Sequence, residues 1–67
     1  MITNIGIVAG EIWHYLDENG SVPLSKIVTA IERPRDIILM SLGWLAREGH
    51  VVLDGEQDYS ISLRKKK

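Results

Sequence analysis

The sequence contains no cysteine among its 67 residues, and this absence removes two ways of stabilising a small fold. Neither a disulfide nor a thiolate metal site can form without cysteine. A chain of this length buries only about 60% of the surface that its unfolded form exposes, so its stability is marginal. We therefore expect either an efficient apolar core or self-association.

Long apolar runs are also absent, since the longest uninterrupted stretches are only a few residues. The sequence predicts no membrane span, and it predicts no secretory signal because no basic segment precedes an apolar stretch at its start. Hydrophobic residues make up 45% of the chain and charged residues 25%, which is typical of a globular protein. We expect one cytoplasmic domain over residues 1–63 and a basic tail over residues 64–67.

Positive charge is concentrated at one end of the chain. The formal net charge is −1, yet residues 1–63 hold four basic side chains against nine acidic ones, or −5. The other four basic residues are Arg64, Lys65, Lys66 and Lys67. An acidic body is not typical of a surface that follows DNA phosphates. The tail is interpreted as a solubilising terminus or, alternatively, as an arm that contacts phosphates.

Apolar spacing predicts three helices, separated by Gly20, Pro34 and Gly49. They cover about residues 3–18, 24–31 and 34–48, each with apolar residues three and four positions apart. The residues expected in the core are Ile5, Ala9, Ile12 and Leu16 with Val8 and Trp13 flanking, then Leu24, Ile27, Val28 and Ile31, and finally Ile38, Leu39, Leu42, Leu45 and Ala46.

The third helix carries a second apolar stripe, Ile37, Met40 and Trp44, on the side opposite its expected core face. This stripe is either core covered by another part of the chain or a protein interface, where Trp and Met are enriched. Gly6 and Gly10 lie four residues apart on the first helix, and we expect them to permit close approach of another element. A third candidate surface comprises Ile2, Ile5 and Ile7.

Alternation of apolar and polar residues predicts a β-hairpin at the C-terminal end of the chain. Its two arms, Val51 and Leu53, then Tyr59, Ile61 and Leu63, flank an Asp54-Gly55 turn signal. The acidic residues Asp54, Glu56 and Asp58 are expected at the tip of this hairpin. Residues 21–22 predict no more than a short bridging strand.

The order helix, short strand, helix, tight turn, helix, hairpin resembles a winged helix-turn-helix domain, which is an α+β fold. The similar residues are Gly6, Ala9, Gly10, Trp13, Leu16 and Gly20, followed by residues 43–49 (GWLAREG). Over nearly the whole chain, the sequence resembles a family of small bacterial and archaeal winged-helix domains of unknown function. Pro23 departs from the Ser or Thr that often begins the second helix. The resemblance implies the fold, core positions for Ile12, Trp13 and Leu16, and no settled activity.

Catalysis requires polar groups that converge in a cavity, and the sequence offers few of them. Its serines have no identifiable base, and there is no glycine-rich phosphate loop. Glu11, His14 and Glu18 share one helix face, which is more typical of a solvated surface than of a metal site. We therefore expect no enzymatic activity, no cofactor, no metal and no small-molecule ligand.

DNA binding is the alternative to a protein interface. The third helix of such a domain enters the major groove, where base recognition uses Arg, Lys, Asn or Gln. The candidate nucleic-acid contacts are Arg33, Arg35, Ser41, Arg64, Lys65, Lys66 and Lys67. Because an acidic wing repels phosphate, we expect a homodimer that acts through protein contacts, with itself or with another protein. A DNA-binding transcription regulator is the alternative.

Overall fold

The computed structural model describes the backbone of residues 2–64 and the side chains of residues 4–64. The elements follow in the order α1 (Ile2–Asn19), β1 (Val22–Pro23), α2 (Leu24–Ala30), α3 (Arg35–Arg47), β2 (Val51–Asp54) and β3 (Ser60–Leu63). This order and the sheet confirm the predicted winged helix-turn-helix with its short third strand. The division into a domain over residues 1–63 and a tail over residues 64–67 stays a prediction.

The three strands form an antiparallel sheet in the order β1-β3-β2. Ile61 of the central strand pairs with Val22 on one side and with Leu53 on the other. Because successive side chains alternate between the two faces of a strand, Ile61 projects toward the helices, where it is buried. The sheet therefore closes one side of the helical core.

Glycines end two of the three helices. The amide of Gly20 donates a hydrogen bond to the carbonyl oxygen of Leu16 at 2.8 Å, and Gly20 adopts a positive φ of 73°. Gly49 follows α3 with a φ of 80°. Glycine takes this left-handed conformation without the penalty that a Cβ imposes, which is why it commonly follows a helix. The predicted helix ends agree with the observed ones to within one residue.

The core lies between the helices and the sheet, and it contains most of the side chains that periodicity placed there. Ile12, Ile27 and Ile38 are fully inaccessible to solvent. Full burial of a side chain of this size contributes about 1.5–3 kcal/mol. The remaining buried apolar residues are Val8, Ala9, Leu16, Val22, Ile31, Leu42, Leu45, Val51 and Ile61, with Leu24, Val28 and Ala46 partly buried against them.

Two expected core residues are exposed instead. Leu39 and Trp13 each retain 38% of their accessible surface, so their predicted core positions are wrong. The buried line of α3 runs through Ile38, Ser41 and Leu45, at three- and four-residue spacing. Leu39 lies one position beyond that line, at the edge of the buried face of α3.

The wing, which comprises β2, β3 and their connection, has a longer loop than the turn signal predicted. The last strand pair joins Asp54 to Ser60, so residues 55–59 form the connection. Gly55 has a φ of 113° and Asp58 a φ of 45°. Tyr59 therefore lies in the loop rather than in the strand where alternation placed it. Among the described residues, no helix combines the length and the hydropathy that a membrane crossing requires.

Candidate protein interface

Helices α1 and α3 pack against each other, and Ser41 lies at their contact. Its side chain is fully buried, and its hydroxyl donates a hydrogen bond to the carbonyl oxygen of Ile5 at 3.3 Å. The prediction that Ser41 contacts nucleic acid is therefore wrong, because α1 covers that face of α3. Its position, three residues after Ile38 and four before Leu45, was the sequence signal for burial.

A shallow groove of about 250 Å³ lies beside this contact, and we call it the α1–α3 groove. Two partly exposed indoles line it, Trp13 with 38% and Trp44 with 46% of its surface accessible. The lining contains no Asp, Glu, Lys or Arg side chain. The other lining residues are Gly6, Ala9, Gly10, Leu45 and His50.

The two glycines leave open space in this groove. A Cβ built at Gly6 or at Gly10 would meet no atom of another described element within 4 Å. No described element of the same chain therefore approaches these glycines closely, and close approach by a second molecule stays a prediction. Both positions are helical, so neither glycine is required by its backbone conformation. Space on this face remains accessible to a second molecule.

An imidazole lies beside each tryptophan of the groove. The ring centroids of Trp44 and His50 are 6.1 Å apart with a 37° angle between the planes, and those of Trp13 and His14 are 5.7 Å apart and nearly perpendicular. Edge-to-face and tilted arrangements at these distances are favourable for aromatic rings. Each tryptophan of the groove therefore has an aromatic neighbour within its own chain.

The predicted apolar stripe of α3 is divided between core and surface. Ile37 is partly buried and packs against the core, whereas Met40 keeps 44% of its surface accessible and Trp44 46%. Met40 and Ile37 line a separate cavity of about 360 Å³, which also contacts Val8. Only the Trp44 end of the stripe therefore reaches the α1–α3 groove.

The two N-terminal isoleucines with described side chains, Ile5 and Ile7, differ in exposure. Ile7 is 51% exposed, whereas Ile5 is partly buried and its carbonyl oxygen accepts the Ser41 hydrogen bond. The side chain of Ile2 lies outside the described residues. Ile7 is thus the described member of this set that offers a free apolar surface.

Arg33, a candidate nucleic-acid contact, is paired within the chain. Its Nε and Nη2 atoms donate to the two carboxylate oxygens of Glu11 at 3.0 and 2.6 Å. Hydrogen bonding from Arg33 holds the pKa of Glu11 below its ordinary value, against the opposing effect of desolvation, and charge attraction adds to the decrease. The same hydrogen bond raises the pKa of Arg33. A phosphate would have to compete with this bidentate pair.

The other nucleic-acid candidates are divided between exposed and undescribed positions. Arg35 and Arg64 are exposed, whereas Lys65, Lys66 and Lys67 lie outside the described residues. Asp54 and Glu56 are exposed on the wing, as the sequence predicted. Asp58 is also exposed as a residue, but its carboxylate accepts two hydrogen bonds from Ser25. Within residues 2–64, no group of three or more His, Cys, Asp or Glu side chains is arranged to hold a metal ion.

Comparison with known proteins decides the family. Residues 1–65 match the model of a family described as a winged helix-turn-helix domain (DUF2582). The chain belongs to this family. The uncharacterized protein MJ1608 of Methanocaldococcus jannaschii is similar, with 38% identity over an alignment of 64 residues that covers 90% of each chain.

A solved structure has the same winged helix-turn-helix fold. The solution NMR structure of protein BT2368 from Bacteroides thetaiotaomicron matches with a TM-score of 0.78 and 26% identity. The match covers 91% of this chain and 76% of that one. These comparisons confirm the predicted fold and the predicted resemblance to a small family of unknown function. A winged helix-turn-helix domain of this kind suggests DNA binding or protein binding, and the fold is typically non-enzymatic.

Proposed function

We propose that this DUF2582 domain is a non-enzymatic binding module that forms a homodimer through the α1–α3 groove. The observation that carries the proposal is the groove itself, in which Trp13 and Trp44 flank open space above Gly6 and Gly10. Partly exposed tryptophans next to a recess are typical anchors of protein interfaces. In the monomer, Trp13 and Trp44 keep apolar surface exposed that a partner molecule would bury.

A second copy is the partner that suits this groove best. A two-fold dimer places the same surface of both molecules in contact, so that surface must complement itself. The groove offers both a projecting indole and a recess, which allows Trp44 of one copy to enter the space above Gly10 of the other. Residues 2–64 carry nine acidic and five basic side chains, so this part of the chain has a net negative charge, whereas the groove lining contains no Asp, Glu, Lys or Arg side chain.

The exposed indole surface is sufficient for a weak dimer. With about 250 Å² on a tryptophan side chain, the 46% that Trp44 exposes amounts to roughly 115 Å². Burying that area stabilises a complex by about 3 kcal/mol at 25 cal/mol per Å², and a symmetric contact buries the groove tryptophans of both copies. The 38% that Trp13 exposes adds about 2 kcal/mol per copy, so the four tryptophans of both copies contribute about 10 kcal/mol. Since association costs at least about 4 kcal/mol, the remaining gain of about 6 kcal/mol corresponds to dissociation constants of roughly 10–100 µM.

Sedimentation equilibrium across a dilution series tests the proposal, with Trp44→Ala as the test variant. Tyr59→Ala is the matched control, because Tyr59 is 41% exposed and lies in the wing loop, outside the groove. We expect wild type and Tyr59→Ala to dimerise alike, and Trp44→Ala to remain folded but monomeric. Equal dimerisation of all three would refute the groove as the contact. A Trp44→Ala protein that is unfolded at every concentration would instead assign Trp44 to the fold of the monomer.

DNA binding remains the second candidate, and the exposure of arginines on α3 favours it. Arg35 and Arg47 lie near the two ends of this helix, both exposed, and α3 corresponds to the recognition helix of the fold. The exposed wing acids Asp54 and Glu56 oppose contact with phosphate. We expect duplex binding to be weak, non-specific and strongly dependent on salt. Fluorescence anisotropy with unrelated duplexes at low and physiological salt tests this, and a tight sequence-selective complex at physiological salt would favour a DNA-binding regulator.

A further inference from the structure

Side-chain burial does little to hold the tip of the wing in place. Residues 52–60 are all exposed, and the largest apolar side chains among them, Val52, Leu53 and Tyr59, retain 38%, 44% and 41% of their surface. Segments with few buried contacts open at low free-energy cost unless other interactions fix them. The position of the wing tip therefore depends on its polar contacts.

The contacts of the loop join the wing to the start of α2, and beside them the hydroxyls of Ser60 and Ser21 share a hydrogen bond of 2.9 Å. The carboxylate of Asp58 accepts hydrogen bonds from the Ser25 amide at 2.7 Å and from the Ser25 hydroxyl at 2.8 Å. The adjacent carbonyl oxygen of Tyr59 accepts one from the Leu24 amide at 2.7 Å. One carboxylate thus makes two bonds to a single residue that lies 33 positions earlier in the chain.

The contact between Asp58 and Ser25 satisfies the start of α2 and depends on an unusual backbone conformation at Asp58. The first amides of a helix have no carbonyl partner within that helix, and Pro23, at the N-cap of α2, makes no capping hydrogen bond through its side chain. Asp58 has a φ of 45°, a left-handed conformation that Asp adopts more readily than most residues. In this conformation the carboxylate of Asp58 reaches Ser25. The wing loop therefore supplies the cap that the sequence of α2 lacks.

We infer that Asp58 is a strap that fastens the wing to α2, and that its release lets residues 55–59 move away while the three-helix body stays folded. In the closed form the Asp58 carboxylate is hydrogen-bonded to Ser25, and these bonds hold the wing against the start of α2. In the open form the loop over residues 55–59 becomes a mobile acidic segment that carries Glu56 and Asp58. This device is separate from the proposed dimer, because no residue of β2, β3 or their loop lines the α1–α3 groove.

Residue-level NMR of the full chain tests the strap, with Asp58→Ala as the test variant. Glu56→Ala is the matched control, since Glu56 is an exposed acid of the same loop. In Asp58→Ala we expect the amides of Leu24 and Ser25 to exchange with solvent about tenfold faster or more. We also expect backbone order parameters over residues 55–59 to fall below about 0.6. Wild type and Glu56→Ala should be alike, and α1 amides should be unaffected in all three.

A second variant keeps the inference testable if Asp58→Ala perturbs more than the wing. Ser25→Ala removes the hydroxyl bond but retains the amide bond, so we expect a smaller increase in wing mobility at the same residues. Combining it with Asp58→Ala should add nothing further, because the single Asp58 change already removes both bonds. Unchanged exchange at Ser25 in Asp58→Ala would overturn the strap. Equally accelerated exchange throughout α1 would overturn the claim that its release is local.

Discussion

Replacing Gly10 by alanine should affect folding and association in opposite directions. Gly10 lies inside α1, and an added Cβ would meet no atom of another described element within 4 Å. The methyl group is therefore accommodated in the monomer, while the unfolded chain loses backbone freedom. Alanine in a helix interior is more favourable than glycine by about 1 kcal/mol. For a domain of this size, that gain raises the melting temperature by about 4–8 °C.

The same methyl group would occupy the floor of the α1–α3 groove, where the proposed dimer places a side chain of the second copy. Filling a packed contact with one extra carbon costs about 1–3 kcal/mol. Each 1.4 kcal/mol corresponds to a tenfold change in an equilibrium constant, so we expect Gly10→Ala to weaken dimerisation about tenfold to hundredfold. Melting at a concentration where the protein is monomeric measures the first effect, and sedimentation equilibrium measures the second.

Gly43→Ala is the matched control for this pair of measurements. Gly43 is also an exposed helical glycine whose added Cβ would meet nothing within 4 Å, but it does not line the groove. We expect it to stabilise the monomer similarly and to leave dimerisation unchanged. A Gly10→Ala protein with raised stability and wild-type dimerisation would refute the role of the groove, and one that melts lower as a monomer would refute the open space above Gly10.

Three further predictions concern the core, the buried Ser41 and the ion pair between Glu11 and Arg33. Ile12→Ala should lose about 2–5 kcal/mol, a large part of the stability of so small a domain, as measured by urea denaturation. Ser41→Ala should cost about 1 kcal/mol or less, because its 3.3 Å bond to Ile5 is long, and should leave DNA affinity unchanged. Arg33 lowers the pKa of Glu11 in the folded state, so the ion pair stabilises wild type at neutral pH. That contribution should be lost as the pH falls from the ordinary pKa of glutamate to below the lowered pKa of Glu11. Melting temperatures measured across this pH range should therefore show a decreasing difference between wild type and Glu11→Gln.

The helix boundaries could be predicted because local backbone chemistry determines them. Gly20 and Gly49 take positive φ values, and Pro34 precedes the first residue of α3. These effects need no knowledge of the neighbouring elements. The periodic apolar residues of α1 and α2 likewise indicate a buried face, and most of them are buried.

The surface of α3 could be predicted only in part, because periodicity gives an angle around the helix and not the element that covers it. Leu39 and Ser41 show the two possible errors. The apolar residue keeps 38% of its surface accessible, and the polar one is buried because α1 lies against it. The open space above Gly6 and Gly10 has the same origin, because a glycine pattern does not reveal whether a neighbour is present.

The wing contact could not be predicted at all from local sequence. Ser25 and Asp58 are separated by 33 positions, and only the tertiary structure brings them together. The Asp54-Gly55 pair indicated a tight turn, whereas the loop runs through residues 55–59 and positions Asp58 against α2. The sequence predicts Asp58 at the exposed tip of the hairpin, whereas its carboxylate connects the wing to α2.

The most direct test of the proposed dimer is a set of two-dimensional amide spectra recorded across a dilution series. Glycine amides and indole N–H groups resolve well, so the groove has its own reporters in Gly6, Gly10, Trp13 and Trp44. We predict shifts that change with concentration and are concentrated at these four residues, with Leu24 and Ser25 of α2 unaffected. Spectra that do not change with concentration, or changes confined to α2 and the wing, would contradict the proposed homodimer through the α1–α3 groove.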